Sequence, residues 1–441
     1  MNRSSIEASA ERIVRRLHDA GYEALFAGGC VRDRLSGATP KDFDIATSAT
    51  PAQILALFER GESIGAHFGV ILVREKNEHF EIATFRSDGE YSDGRHPDSV
   101  VFTTAEEDAR RRDFTVNGMF FDPVRGALID YVNGQEDLEA KLIRAIGDPL
   151  ERFREDHLRL LRAIRFATVL DFKIEKETWQ AVKTQAPAIT SLPPERIREE
   201  LDKIWKHPNR LKGFDLLVES GLMRILLPEI MNLQGCEQPP QWHPEGDVFV
   251  HTRLMLSLLP DEASLPLVLS TLFHDIGKPD TFCYDKEADR IRFNGHDKLG
   301  AEMTGRILRR LKYSNQIIDA TVDAVSVHMR FKDVTKMRKA KLKRFMARKH
   351  FEDELELHRV DCLGSSGNLD NYRFLIEKAE EFSSEPLVPP PFLSGKDLIE
   401  RGLRPGPEFK TLLREAQDLQ LEGTLPSRKA SLDWLDSRIT R

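Results

Sequence analysis

Cysteine is scarce in this chain: four residues in 441, at positions 30, 236, 283 and 362, with no C-x-x-C pair among them. Such spacing suits neither a zinc ribbon nor a disulfide framework and fits a reducing compartment. Long apolar runs are missing too. None approaches the roughly 18–20 residues of a membrane span. The stretch Ser4–Ala20 mixes Glu11, Arg12, Arg15 and Arg16 with Ile13, Val14 and Leu17, which is the pattern of an amphipathic helix and not of a signal peptide. Excess positive charge is absent as well. The formal charge is −7 and the isoelectric point about 6.1, so any contact with nucleic acid has to come from local patches. There is no internal repeat and no low-complexity tract beyond short proline clusters. These absences point to a soluble cytoplasmic protein with no membrane partner, long enough for two to four domains.

What is present begins with Gly28-Gly29-Cys30-Val31-Arg32-Asp33, followed after a short link by Asp42-Phe43-Asp44. A glycine pair lets backbone approach a bulky anion with its N–H groups free. Arg32 adds a forked phosphate donor beside Gly29. Asp42 and Asp44 stand two apart on an expected strand, so both side chains leave one face. Two carboxylates beside a phosphate cradle are what a Mg²⁺–triphosphate needs. Glu81, on a later strand, is either a third carboxylate of that site or an ordinary exposed strand residue. The polar segment 86–97 has no periodicity and reads as a long mobile loop of the kind that serves as a lid. At the end of the next helix come Arg110, Arg111 and Arg112. They read either as a solvated basic terminus or as phosphate contacts, with Asp113 holding an arginine and Asn117 donating an amide.

The segment Phe153–Thr168 reads as one helix, with Asp156 and Arg159 three apart and therefore neighbours. They are either an intrahelical ion pair or something more pointed. Cytosine and adenine both present an amino donor beside a ring-nitrogen acceptor, which a carboxylate and a guanidinium complement. Uracil and guanine would set like against like. Arg162 continues the stripe, and Arg165, about 180° round a continuous helix from Asp156, serves either flanking phosphates or a core pair.

Together, G-G-x-V-R-D with D-F-D, R-R-D-F-T-x-N (Arg111–Asn117), E-D-x-x-R-x-x-R-x-x-R (Glu155–Arg165) and the stretch Pro194–Leu201 resemble the bacterial-type (class II) tRNA nucleotidyltransferase and poly(A) polymerase family over about residues 15 to 230. The resemblance implies an α+β chain: a nucleotidyltransferase head with a mixed β-sheet (1–148), then an all-α neck and body that reads the base (149–237). It implies two Mg²⁺ ions on Asp42 and Asp44, with Arg112, Arg162 and Arg165 near the incoming nucleotide. Asp156 and Arg159 become the protein's template for CTP and ATP, and the partner becomes the 3′ end and acceptor arm of tRNA. The loop 86–97 corresponds to the segment used in switching from C to A addition. The expected activity is untemplated addition of CCA. Poly(A) synthesis and A-only addition share these motifs and stay open.

Composition shifts at Gln238–Pro244, a proline-marked linker. Beyond it stand His251, His274-Asp275, His296, His328 and Asp361. Imidazole and carboxylate ligands suit a divalent metal that activates water on a phosphate ester. The order H…HD…H…H…D resembles the HD phosphohydrolase superfamily. That implies a metal site in His251, His274, Asp275 and Asp361, completed or extended by His296 and His328, in an all-α domain (238–385) acting on cyclic or terminal phosphates. An HD phosphodiesterase or phosphatase whose head only binds RNA is thus the rival from another class. Residues 330–349 form the one clear basic stretch, either a solvated helix face or a hold on RNA backbone. A helical tail (386–441) follows, with tRNA contact as its expected role.

Overall fold

The computed structural model describes residues 5–59, 61–65, 69–89, 99–239, 241 and 243–439. The chain divides into two compact units, Met1–Pro228 and Glu229–Arg441.

The first unit opens on a helix, Ser5–Asp19, whose Ile13, Val14 and Leu17 are buried. Nine strands follow in chain order among the described residues: β1 Ala24–Ala27, β2 Asp44–Thr47, β3 Gly61–Gly65, β4 Val70–Glu75, β5 Glu78–Thr84, β6 Arg86–Asp88, β7 Val100–Phe102, β8 Phe120–Asp122 and β9 Ala127–Ile129. Seven form one mixed sheet in the order β3-β4-β5-β2-β1-β8-β9, while β6 and β7 pair separately. The β4–β5 hairpin is antiparallel as its alternation predicts, and β2 runs parallel to β5 with Ile45 opposite Ile82. One face packs Leu25, Ala27, Ala46, Phe85 and Phe120 against Ala105 and Ala109 of the helix Ala105–Arg110. The strand signals before β3, β8 and β9 are short, and β3 and β8 are not legible in the sequence. Of the expected lid loop, residues 90–98 lie outside the described residues.

The remainder of this unit is helical apart from a two-stranded parallel pairing of Leu142–Ile143 with Lys173–Ile174. The helix Pro149–Glu155 starts at Asp148, whose side chain accepts from the N–H groups of Leu150 and Glu151, with Pro149 in the first turn. Here the structure corrects the expectation of one helix over Phe153–Thr168. The helix ends at Glu155; Asp156 takes an extended conformation (φ −138°, ψ 104°), and a new helix runs Leu158–Val169. The reason is local. Asp156 Oδ1 accepts the N–H of Leu158 at 3.0 Å, satisfying a free donor of the second helix in the way aspartate commonly breaks one helix and starts another.

The second unit is almost wholly helical. One antiparallel hairpin, Cys283–Asp285 with Arg290–Arg292, interrupts it. Its helices start where the sequence offers caps: Asp247 accepts from Val250 N–H, and Ser264 from Leu267 N–H. Val327, Phe331, Leu342, Phe345 and Leu375 share one core, and Leu393, Leu398, Ala416 and Leu435 share another under the C-terminal helices. No helix among the described residues is long and apolar enough to cross a membrane.

Candidate active sites

In the first unit β1 and β2 pair with Ala27 opposite Asp44, so the glycine pair and the acidic pair meet at the same end of the sheet. Gly28 holds φ +69°, and a Cβ there would come within 3.1 Å of Arg112 Nη1; only glycine fits this approach. Asp44 is the first residue of its strand and Asp42 lies just before it. Both are exposed, and neither side chain is spent on a hydrogen bond or ion pair among the described residues. Desolvation by the protein around its carboxylate, then the charges of Asp42 and Glu81, push the Asp44 pKa up to about 6 against the pull of Arg112. That repulsion between acids is what a cation relieves. Glu81 is thus near enough to be felt, although the three tight groups of ligand atoms found among the described residues all lie in the second unit.

Opposite the acids is a wall of guanidinium groups held by carboxylates. Arg32 donates from Nη1 to Asn117 Oδ1 at 2.6 Å and from Nη2 to Asp33 at 2.7 Å. Arg111 and Arg112 are both clamped by Asp108, which is 1% exposed; Arg110 turns away to Glu106. Asp113 accepts from Arg162 through Nε at 2.8 Å and through Nη2, and from Asn117 Nδ2 at 3.1 Å. Burial alone would raise the Asp113 pKa; Arg162 and the hydrogen bonds from Asn117 and the Phe114 N–H outweigh it and hold the group at about 2. Arg165 donates to Glu200 at 2.5 Å and lies 3.9 Å over the Phe166 ring.

Asp156 and Arg159 both line this cleft of about 600 Å³, together with Asp42, Asp44, Arg112, Arg162 and Arg165. They do not pair with each other. Arg159 donates to Glu155 at 2.7 Å and to the carbonyls of Arg152 and Arg111, and the nearest cation to Asp156 is Arg196, 3.9 Å away. The break at Asp156 also removes the angular argument that set Arg165 opposite it, since the two residues belong to different helical segments.

The second unit gathers His251, His274, Asp275, His296, His328 and Asp361. His251, His274 and Asp361 each offer a ligand atom within 4.8 Å of the others, and so do Asp275, His296 and His328. The donor chemistry fits a metal. His274, His296 and His328 each set Nδ1 against a main-chain carbonyl three residues back: Thr271 O at 2.9 Å, Phe293 O at 2.7 Å and Val325 O at 2.6 Å. A carbonyl can only accept, so Nδ1 carries the proton and Nε2 keeps its lone pair. Those Nε2 atoms face inward: His296 and His328 are 3.2 Å apart there, and the buried His274 Nε2 lies 3.0 Å from Asp275 Oδ2. Burial and the neighbouring His274 push the His328 pKa down to about 4. Burial works against Asp275 ionising, yet His274 and Lys278 hold its carboxyl well below the usual range. Lys278, itself buried, donates to Asp275 at 2.7 Å and to Gln238 at 2.6 Å. His274 and Asp275 sit just past the end of the apolar helix Leu265–Phe273, not within it.

Residues 24–144 match the family model of the poly A polymerase head domain, residues 171–233 that of a probable RNA and SrmB-binding site of polymerase A, and residues 248–361 that of the HD domain. The chain is 30% identical to the CCA-adding enzyme of Lactobacillus helveticus (strain DPC 4571) over 96% of this chain and 94% of that one. It belongs to the CCA-adding enzyme family. Against the CCA-adding enzyme of Limosilactobacillus reuteri (strain DSM 20016) identity rises to 38%, over 58% of this chain and 64% of that protein's length. The crystal structure of the Bacillus stearothermophilus CCA-adding enzyme in complex with CTP superposes with a TM-score of 0.75 at 25% identity, over 99% of this chain and 98% of the other.

Several partners of this family member's site residues escape a reading of motifs. Asp108 stands three and four residues before Arg111 and Arg112, and Glu155 four before Arg159, so helical spacing contained both signals. Lys278 stands three residues after Asp275, whereas Glu200, which holds Arg165 from 35 residues away, left no local signal. His243 and Glu245, in what reads as a linker, form a third ligand group with His251.

Proposed function

We propose that this chain adds C and A to the 3′ end of tRNA from CTP and ATP without a nucleic-acid template. The observation that carries this reading is one cleft in which two unspent carboxylates face a wall of guanidinium groups held in place by carboxylates. Asp42 and Asp44 are the residues that hold Mg²⁺, which when bound neutralises the triphosphate and acidifies the attacking hydroxyl. Arg112 and Arg162, fixed by Asp108 and Asp113, bind the phosphates without having to be ordered first. Asp156 accepts from the exocyclic amino group of C or A. Arg159 spends three N–H groups on Glu155, Arg152 and Arg111, leaving two of its five for the ring nitrogen. Poly(A) synthesis and A-only addition are not favoured by the relatives. The test is extension of tRNAs ending in N, NC and NCC, given CTP or ATP singly. CTP should extend the first two, and ATP only the third; a tail of many A residues would overturn the reading.

We assign residues 1–148 to the catalytic head, 149–237 to base recognition, 238–385 to a metal-dependent phosphohydrolase and 386–441 to a tRNA-contacting tail, all in the cytoplasm. A second activity is favoured by the inward Nε2 atoms of the 238–385 segment. Residues His251, His274, Asp275, His296, His328 and Asp361 are the set that holds a divalent metal, and its chemistry is hydrolysis of a phosphate ester. Release of phosphate from an RNA 2′,3′-cyclic end, lost in His274→Ala but kept in Asp42→Ala, is the expected result. RNA contact has support from a groove of about 830 Å³ lined by Arg330, Arg338, Lys341 and Arg414, none of which has an ion-pair partner among the described residues. The acids of the same groove are occupied: Asp418 by Arg344, Glu415 by Arg438, and Glu422 by the Ala340 N–H.

A further inference from the structure

Three of the four inward histidines fix their tautomer on a carbonyl of their own chain segment, three residues back. His251 does not. It lies inside the helix Val248–Leu258, where the nearest comparable carbonyl, Val248 O, already accepts from Thr252 Oγ1 at 2.9 Å. Its Nδ1 instead faces Glu245 Oε1 at 2.7 Å, with Gly364 O farther off at 3.2 Å. Its Nε2 faces Asp361 Oδ1 at 3.1 Å, on the side shared with His274.

Glu245 is built for this contact. Its side chain is 8% exposed. The same Oε1 takes His243 Nδ1 at 2.9 Å, and Oε2 is buried with no hydrogen-bond partner. The rings of His243 and His251 meet edge to face at 5.1 Å. A buried carboxylate left half satisfied costs stability, so its place here calls for a function. A carboxylate on one ring nitrogen fixes the proton there, orients the ring and raises the electron-donating strength of the other nitrogen.

We propose that Glu245 is the positioning residue of the metal centre: its carboxylate accepts the hydrogen bond from His251 Nδ1–H, so that Nε2 turns as a lone pair toward the ion held with His274 and Asp361, while His243 keeps Glu245 in place. The functional centre therefore begins before residue 248, in the stretch His243-Pro244-Glu245. This rests on the metal reading of the second unit given above.

The test is Mn²⁺ binding to the full-length protein carrying Asp42→Ala and Asp44→Ala, so that the head takes up none. Removing an outer-shell partner of a ligating histidine weakens metal affinity about 10- to 100-fold, and Glu245→Gln should do so. The Co²⁺ form should show a shifted visible spectrum, which a merely structural role would not produce. His243→Gln leaves the Glu245 charge in place and should lose less affinity than Glu245→Gln. It also serves as the readout if Glu245→Gln fails to fold. Wild-type affinity and an unchanged Co²⁺ spectrum in Glu245→Gln would overturn the proposal, as would unchanged affinity in His243→Gln should the first variant not fold. If the parent binds no more Mn²⁺ than its His274→Ala derivative, the metal reading itself fails, and that result is distinct from the other two.

Discussion

Replacing Asp108 with asparagine tests whether the arginine wall is preorganised by buried acids. Asp108 Oδ1 accepts from Arg111 Nε and Nη2 at 2.9 and 2.7 Å, and Oδ2 from Arg112 Nε and Nη2 at 3.2 and 3.0 Å. Oδ1 also takes the Arg86 N–H at 3.2 Å. Burial alone would raise its pKa, but the two guanidinium charges win and hold it below the ordinary value. Asparagine keeps the shape, puts an NH₂ where one oxygen accepted, and leaves two cations with no charge between them. Removing one partner of a buried ion pair costs about 3–5 kcal/mol. Arg111 and Arg112 are 20% and 19% exposed, so water softens the loss toward the lower figure. At about 2–4 °C per kcal/mol for a unit of this size, the first transition should fall by roughly 6–12 °C. With Arg112 no longer held, KM for CTP and ATP should rise together, because the triphosphate is common to both, and the preference for C over A should stay put. Calorimetry of the full chain and single-nucleotide extension read the two effects. A midpoint within 2 °C of wild type, the effect of about 1 kcal/mol or less, together with unchanged KM would refute the clamp; an altered base preference would move Arg112 from phosphate to base.

Asp42→Ala should abolish nucleotide addition and leave tRNA binding intact in a gel-shift assay; retained addition sinks the metal assignment. Asp156→Ala should admit UTP or GTP, and unchanged selectivity in misincorporation assays refutes the base-reading role. Asp113 is held at about 2 in the fold against roughly 3.9 unfolded. Because the folded pKa is the lower one, its contribution of about 2–3 kcal/mol is present above pH 4 and lost as pH falls toward 2; urea unfolding between pH 5 and pH 3 should show a shallower slope in Asp113→Asn. Reversing Arg338 and Lys341 to Glu should weaken tRNA binding across sequences and flatten its salt dependence by roughly one unit of slope per contact; an unchanged slope removes the groove from the interface.

The fold class and the family were legible because their signals are local. Alternating strands at 70–75 and 78–84, the capped helix start at Thr50-Pro51, and the glycine pair each show in a few consecutive residues. The short strands at 61–65 and 120–122 were not legible, because three to five residues carry too little periodicity. The helix over 153–168 misled for a different reason: its apolar spacing is continuous, while the break depends on one side chain, Asp156, turning back to cap Leu158.

By itself the sequence determined which side chains carry charge, ligand atoms and conformational freedom, and in what order they come: G-G-x-V-R-D, D-F-D, the arginine run, the histidines. Tertiary structure alone decided who holds whom. Asp113 reaches Arg162 across 49 residues, Glu200 reaches Arg165 across 35, and His251 meets Asp361 across 110. Where no acid stands at helical spacing, as Asp108 does for Arg111 and Arg112, a guanidinium or imidazole has no partner written in its own segment. It takes whichever acid the packing of strands and helices buries beside it, since a buried charge must be paired where it lies.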